Sequence, residues 1–228
     1  MGLIEKISFG LSVDNKLALA KFNREIETYW KNPELRLHLD IGHGKEEHLR
    51  FSKHLAHISR EKKGEVVYFD NADFITRFMT KVKNKNSKPE NLIFSSSPEG
   101  YLKENSADFY DSASLFFAIH EFSVNPSPLE TMQRMHSLLK PGAPLFGVDY
   151  NFDFGEMSEK ELNDLVRDRF TERNEKRVIE EEPDWFIAHT RYNLRKFMSD
   201  AETAGFRAIK VIESDPRKLF LYIGERQN

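Results

Sequence analysis

The sequence predicts an α/β fold in which a mostly parallel, doubly wound sheet is covered by helices. Three observations lead there. Short apolar runs of strand length alternate with longer stretches of helical spacing. The first strand runs directly into Gly42-His43-Gly44 and a helix. The run SASLFFAI (112–119) is too continuously apolar for a sheet with one wet face, so both its faces are expected to be covered. Strands that alternate with helices need right-handed crossovers and lie mostly parallel.

The elements follow in order. Residues 14–31 carry Leu17, Leu19, Ala20, Phe22, Ile26, Tyr29 and Trp30 at roughly helical spacing, with Asp14 or Asn15 as N-cap. Asn32-Pro33 ends that helix, because the residue before proline avoids helical geometry. Leu35, Leu37, Leu39 and Ile41 then alternate as a strand. A helix is expected from about Lys45 to Ile58, a turn at Lys62-Lys63-Gly64, and a second strand over Glu65–Phe69 ending at Asp70. Asn71 caps a further helix through Phe74, Ile75, Phe78 and Met79. The polar stretch 81–91 reads as an exposed basic turn, 91–96 as a third strand and 112–119 as a fourth. Leu129–Leu139 is helical and stops at Lys140-Pro141-Gly142, and APLFGVDY (143–150) is a fifth strand. Residues 152–182 are charged and mostly helical. Asn193–Ala204 is an amphipathic helix closed by Gly205, a good left-handed C-cap. Phe206–Glu213 and Lys218–Gly224 are the last two strands. Neither a repeat nor a linker divides the chain, so residues 1–228 are expected to form one domain. It has a helical cap over 1–34 and a helical insertion over 152–187.

Composition narrows the function. The chain has 228 residues, 34 Lys+Arg against 37 Asp+Glu, a formal net charge of −3 and no cysteine. Absent cysteine excludes a disulfide scaffold, a thiol nucleophile, an iron–sulfur cluster and Cys-type zinc. Balanced charge argues against coating nucleic acid, which usually shows as a basic excess. The mean hydropathy of −0.61 suits a chain with a highly charged surface. No window approaches about 18 consecutive apolar residues, so no membrane contact is expected. The first ten residues lack a basic stretch followed by an apolar run, and the expected compartment is the cytoplasm.

The first strand–loop–helix carries the strongest signal. Glycines let the backbone approach a ligand, and free N–H groups at a helix start face it. Asp70, at the end of the next strand, falls beside that loop near the switch point, where a carboxylate can accept two ribose hydroxyls. Other constellations carry less. His43 with His48, and His54 with His57, lack a carboxylate that completes a metal site, and no metal is expected. Ser95-Ser96-Ser97 lacks the glycine flanks of a nucleophile elbow.

LHLDIGHG, VVYFDNADF, SSSPEGY, YDSASLFFAIHEF, LLKPGAPLFGVDY and HTRYNLRKFMSDAETAGF occur in that order. With these pieces the sequence resembles the class I S-adenosylmethionine-dependent methyltransferases, from about Leu35 to Arg226. The branch is similar to quinone-biosynthesis and other small-molecule methyltransferases. The resemblance implies a Rossmann-like seven-stranded sheet with an antiparallel last strand. It implies S-adenosylmethionine as donor, S-adenosylhomocysteine as product and a small-molecule acceptor. Asp40 would lie near the methionine amine, with Gly42, His43 and Gly44 under the cofactor. Asp70, with Asn71 beside it, would hold the ribose. Ser97 and Pro98 would form the adenine loop, and Phe116 would be a further cofactor contact. Three positions depart from the family pattern. Glu46 stands where a small residue is usual, Ser97 where an acid is usual, and Pro98 has no N–H to offer a ring nitrogen.

Methyl transfer from a sulfonium is an in-line displacement, so alignment and water exclusion matter most. A base is needed only when the acceptor must lose a proton. His120, at the mouth of the fourth strand, is the candidate base, or else a loop anchor. Asp149 is a second catalytic candidate, or else a cap of the following turn. Tyr150 and Glu121 are candidate substrate contacts, as are His189 and Arg191. Tyr29 and Trp30 are expected to join the 152–187 insertion as a lid over the acceptor. Two other readings stand beside this one. A degenerate methyltransferase-like protein would act as a binding module, and an RNA or protein methyltransferase would present a local basic face. The oligomeric state is open.

Overall fold

A computed structural model describes residues 13–42, 46–70, 75–76, 90–95, 109–116, 118, 127–151, 158, 160, 192–214 and 219–228. The helices are α1 (Val13–Trp30), α2 (Glu46–Ser59), α3 (Pro128–Leu138) and α4 (Leu194–Thr203). The strands are β1 (Leu37–Ile41), β2 (Glu65–Phe69), β3 (Leu92–Ser95), β4 (Ser112–Phe116), β5 (Pro144–Tyr150), β6 (Phe206–Glu213) and β7 (Leu219–Arg226). They form one sheet in the order β3-β2-β1-β4-β5-β7-β6. Neighbours from β3 through β5 pair in parallel. Only β7 runs against the others, between β5 and β6. This is the expected doubly wound sheet with its antiparallel last strand.

Period-two alternation divides the strands between two cores. Leu39, Ile41, Val67, Leu115, Leu145, Phe220 and Tyr222 pack with Met132 and Met135 of α3 and Phe197 and Ala201 of α4. Val66, Tyr68, Phe146, Val148, Leu219, Leu221 and Ile223 pack with α1 and α2. In α1, Leu19, Phe22, Ile26 and Trp30 recur at three- and four-residue intervals and supply its buried stripe. β4 is buried along its whole length, as its apolar run requires. It ends at Phe116, however, not at residue 119.

Local chemistry fixes the helix ends. Ser127 and Glu130 form a reciprocal capping box around Pro128, which starts α3. The Asn193 side chain accepts from the Lys196 N–H at 3.0 Å and caps α4. Gly205 follows α4 at φ +95°, the left-handed geometry expected there. A Cβ at Gly205 would lie 2.7 Å from the His136 ring, so this glycine also permits the close approach of α3.

The lower edge of the sheet, where the parallel strands begin, is clamped by Asp111. Its Oδ2 accepts from the N–H groups of Arg36 and Leu37 at 2.9 and 2.8 Å. Its Oδ1 accepts from Lys140 Nζ at 2.5 Å. Among the described residues, no helix is long and apolar enough to cross a membrane.

Candidate functional site

The strand order reverses between β1 and β4, so a crevice opens above their carboxyl ends. β1 pairs with β4 only as far as Ile41 opposite Leu115. Gly42 then leaves the sheet, held by its N–H to Phe69 O at 2.8 Å. Three expected cofactor residues, Asp40, Gly42 and Asp70, come together here. Phe116 is buried in the core on the α1/α2 face and ends β4 next to that crevice.

Tyr68 links the three. Its hydroxyl donates to Asp70 Oδ2 at 2.8 Å. Its ring lies against Gly42, where a Cβ would fall 1.9 Å from Tyr68 Oη and 2.2 Å from Cζ. Burial, and then the charge of Asp70, push the Tyr68 phenol far above its usual range, so it stays a donor. Gly42→Ala should therefore cost about 1–3 kcal/mol of stability by overpacking, read by urea unfolding. Tyr68→Phe should not rescue it, because Cζ still obstructs the new methyl. An unchanged midpoint in Gly42→Ala would mean that the ring does not rest on Gly42.

Asp40 is almost wholly buried. Ser114 Oγ donates to its Oδ1 at 2.5 Å, and Ser52 Oγ of α2 donates to Oδ2. Burial raises the Asp40 carboxyl to about 6, the two serine bonds oppose that rise, and Asp70 adds to it. Because the folded value lies above the ordinary one, folding favours the protonated acid. Stability should fall as pH rises from about 4 to 6, and the penalty, roughly 3 kcal/mol at most, should persist above that window. Asp40→Asn should thus match or exceed the native chain in urea unfolding at pH 7.5 and lose that advantage near pH 4. A large loss of stability at pH 7.5 would contradict the assignment of a costly buried charge.

Several expected site residues are placed elsewhere. Trp30 is fully buried, its Nε1–H donates to Ser59 Oγ at 2.9 Å, and its ring stands edge-on to His38 at 4.4 Å. Tyr29 packs on Phe146 and lines a groove of about 620 Å3 with Leu35, Asp111, Lys140 and Pro144. That groove lies at the lower edge of the sheet, away from Asp40 and Asp70. Both residues are therefore corrected from acceptor lid to packing residues. The α1 stripe that buries its apolar side against the sheet carries its C-terminal end to the wrong edge. Asp149 has no exposed surface in this arrangement. By alternation it shares the Leu145 face, where burial, Asp200 and Asp149 together push the Tyr192 phenol upward. Tyr150 ends β5 opposite Leu219, and its side chain lies outside the described residues, as does that of Glu46.

His43, Gly44, Asn71, Ser97, Pro98, His120, Glu121, His189 and Arg191 lie outside the described residues, together with nearly all of the 152–187 insertion. Among the described residues, no three His, Asp or Glu side chains gather into a metal site. His54 instead meets Glu27 at 3.2 Å. Tyr68 and His38 are the residues that sequence reasoning missed. The available signals were an aromatic two positions before Asp70 and a histidine inside an apolar strand.

No protein-family model and no curated protein sequence matches the chain. Solved structures do. A methyltransferase dependent on S-adenosylmethionine from Aquifex aeolicus is 20% identical, with a TM-score of 0.57 over 89% of this chain and 88% of that one. Another from Methanosarcina mazei is 15% identical, with a TM-score of 0.55 over 89% and 97%. The [4+2]-cyclase SpnF is 9% identical, with a TM-score of 0.55 over 84% and 74%. The chain has the Rossmann-like fold of the class I S-adenosylmethionine-dependent methyltransferases. A cyclase with the same fold means that the fold alone does not specify the reaction.

Proposed function

We propose that this chain is an S-adenosylmethionine-dependent methyltransferase acting on a small molecule, in the manner of the quinone-biosynthesis-like branch. One observation carries the reading: two buried carboxylates, Asp40 and Asp70, flank Gly42 at the switch point of a methyltransferase-type sheet. That donor set fits the cofactor. Asp70 offers anionic oxygens to vicinal ribose hydroxyls. Asp40 places negative charge beneath the loop that would meet a cationic amino group. Phe116 supplies apolar surface, and Ser97 and Pro98 would border the adenine.

When bound, S-adenosylmethionine supplies a sulfonium methyl, which is electrophilic without metal assistance. The chain then has to orient the acceptor and exclude water. His120 would take a proton from an acceptor that must lose one, and Glu121, Tyr150, His189 and Arg191 would contact it. The net charge of −3 favours a small acceptor over a polyanion.

A radiolabelled methyl donor tests this reading in an extract separated into small-molecule, RNA and protein fractions. Label in the small-molecule fraction supports it, and label only in RNA or protein rejects the acceptor class. A second reading, a degenerate methyltransferase-like protein that binds without transfer, is favoured by Glu46, Ser97 and Pro98, which depart from the family pattern. It predicts saturable S-adenosylhomocysteine binding with no label transferred to any fraction.

A further inference from the structure

Asp40 is the end of a longer buried chain of polar groups. His38 lies two residues earlier in β1, on the same face, and is completely buried. Its Nδ1 meets Ser112 Oγ at 2.9 Å and its Nε2 meets Ser114 Oγ at 2.8 Å. Ser114 Oγ in turn bonds Asp40 Oδ1, and Ser52 Oγ bonds Asp40 Oδ2. β4 runs alongside β1 in register, with His38 opposite Ser112 and Asp40 opposite Ser114. The two serines therefore alternate with the histidine and the acid across one strand pair.

The chemistry of these groups fixes a direction. An ionised carboxylate only accepts, so Ser114 must spend its one proton on Asp40. Ser114 Oγ can then only accept from His38, which places a proton on Nε2. The other ring nitrogen accepts from Ser112 when the ring is neutral and donates to it when the ring is charged. Both cases leave the dipole at Ser114 pointing toward Asp40.

We propose that Ser112, His38, Ser114 and Ser52 form a buried one-way hydrogen-bond relay that keeps Asp40 a carboxylate, with His38 as its positioning residue. The inference rests on the cofactor reading above for its purpose, since Asp40 is the charge beneath the cofactor loop. It stands on geometry for its existence. Burial this deep favours the neutral acid, and the hydrogen bonds from Ser114 and Ser52 to the charged form oppose it. Among the described residues, Asp70 and Tyr68 are the other titratable groups bearing on Asp40. Among the described residues, Trp30 of α1 stands edge-on to His38 at 4.4 Å and the Phe146 ring of β5 lies at 6.5 Å. Trp30 itself is pinned by Ser59 at the end of α2, so the ring that holds His38 is held in turn.

The test is a nuclear magnetic resonance titration of the Asp40 carboxyl carbon in the native chain, Ser114→Ala and His38→Phe. The native midpoint should lie near pH 6. Ser114→Ala should raise it by about one to two units, and His38→Phe should raise it by a smaller amount. S-adenosylhomocysteine affinity at pH 7 should fall about two- to tenfold in Ser114→Ala, in step with the loss of the ionised form. A purely structural His38 would lower the melting temperature and leave the Asp40 midpoint unmoved, which would overturn the relay. Should His38→Phe not fold, the nitrogen-15 spectrum of the native histidine decides. A proton on Nε2 supports the relay, and an Nε2 without one overturns it. If the ligand fails to bind at every pH while the midpoints shift as described, the relay stands and the cofactor reading falls.

Discussion

Replacing Asp70 with alanine is expected to weaken S-adenosylhomocysteine binding about a hundredfold in calorimetric titration. The carboxylate ends β2 beside Gly42, is 2% exposed, and has its backbone N–H fixed on Ser95 O at 3.2 Å. Tyr68 also holds Oδ2, so the side chain is oriented before any ligand arrives. Hydrogen bonds to an ionised acceptor contribute about 1.5–3 kcal/mol each, and a ribose offers two hydroxyls. Losing both acceptor oxygens exceeds the roughly 2.7 kcal/mol that corresponds to a hundredfold. Tyr68→Phe provides the control, because it removes a hydrogen-bond donor to Asp70 and leaves the carboxylate in place. An unchanged affinity in Asp70→Ala would show that the ribose does not sit at β2.

Trp30→Ala should have the largest effect on stability, a loss of about 3–5 kcal/mol. Trp30 is completely enclosed and packs in the core that α1 and α2 form on the sheet. Alanine leaves a cavity between the end of α1, Ser59 and the His38 ring. Ser59 keeps its bond to Leu55 O at 2.7 Å, so the loss is chiefly of packing and not of an orphaned hydroxyl. For a chain of this size the melting temperature should fall by roughly 10 °C. Trp30→Phe should lose clearly less, since a ring still covers His38. A loss under about 1 kcal/mol in Trp30→Ala would return Trp30 to the surface and to the lid expected from sequence.

The two outcomes show what a sequence makes legible. Strand and helix periods placed every described element within a few residues, because burial on each face imposes those periods directly. β4 is the informative mismatch. Its apolar run continues to residue 119, yet pairing stops at Leu115 opposite Ile41 and Phe116 opposite Val148. Gly42 leaves the sheet there, so hydrophobicity outlasts the partner strand. Gly42, Asp40 and Asp70 could be placed together from sequence because all three stand at or just past the ends of neighbouring strands. Trp30 was misplaced because an amphipathic stripe reveals a buried side but not which edge of the sheet the helix reaches. His38 was invisible for a different reason. Its serine partners lie 74 and 76 residues away, and the alternation of Leu37, Leu39 and Ile41 says nothing of what meets the residues between them. The face those residues occupy is buried as well, and its polar groups satisfy one another.

A crystal structure of the chain grown with millimolar S-adenosylhomocysteine tests the central claim most directly. The account predicts ribose hydroxyls on Asp70, with the amino acid end over the loop that begins at Gly42. Ligand in the groove lined by Tyr29, Asp111 and Lys140, or no ligand at that concentration, would contradict it.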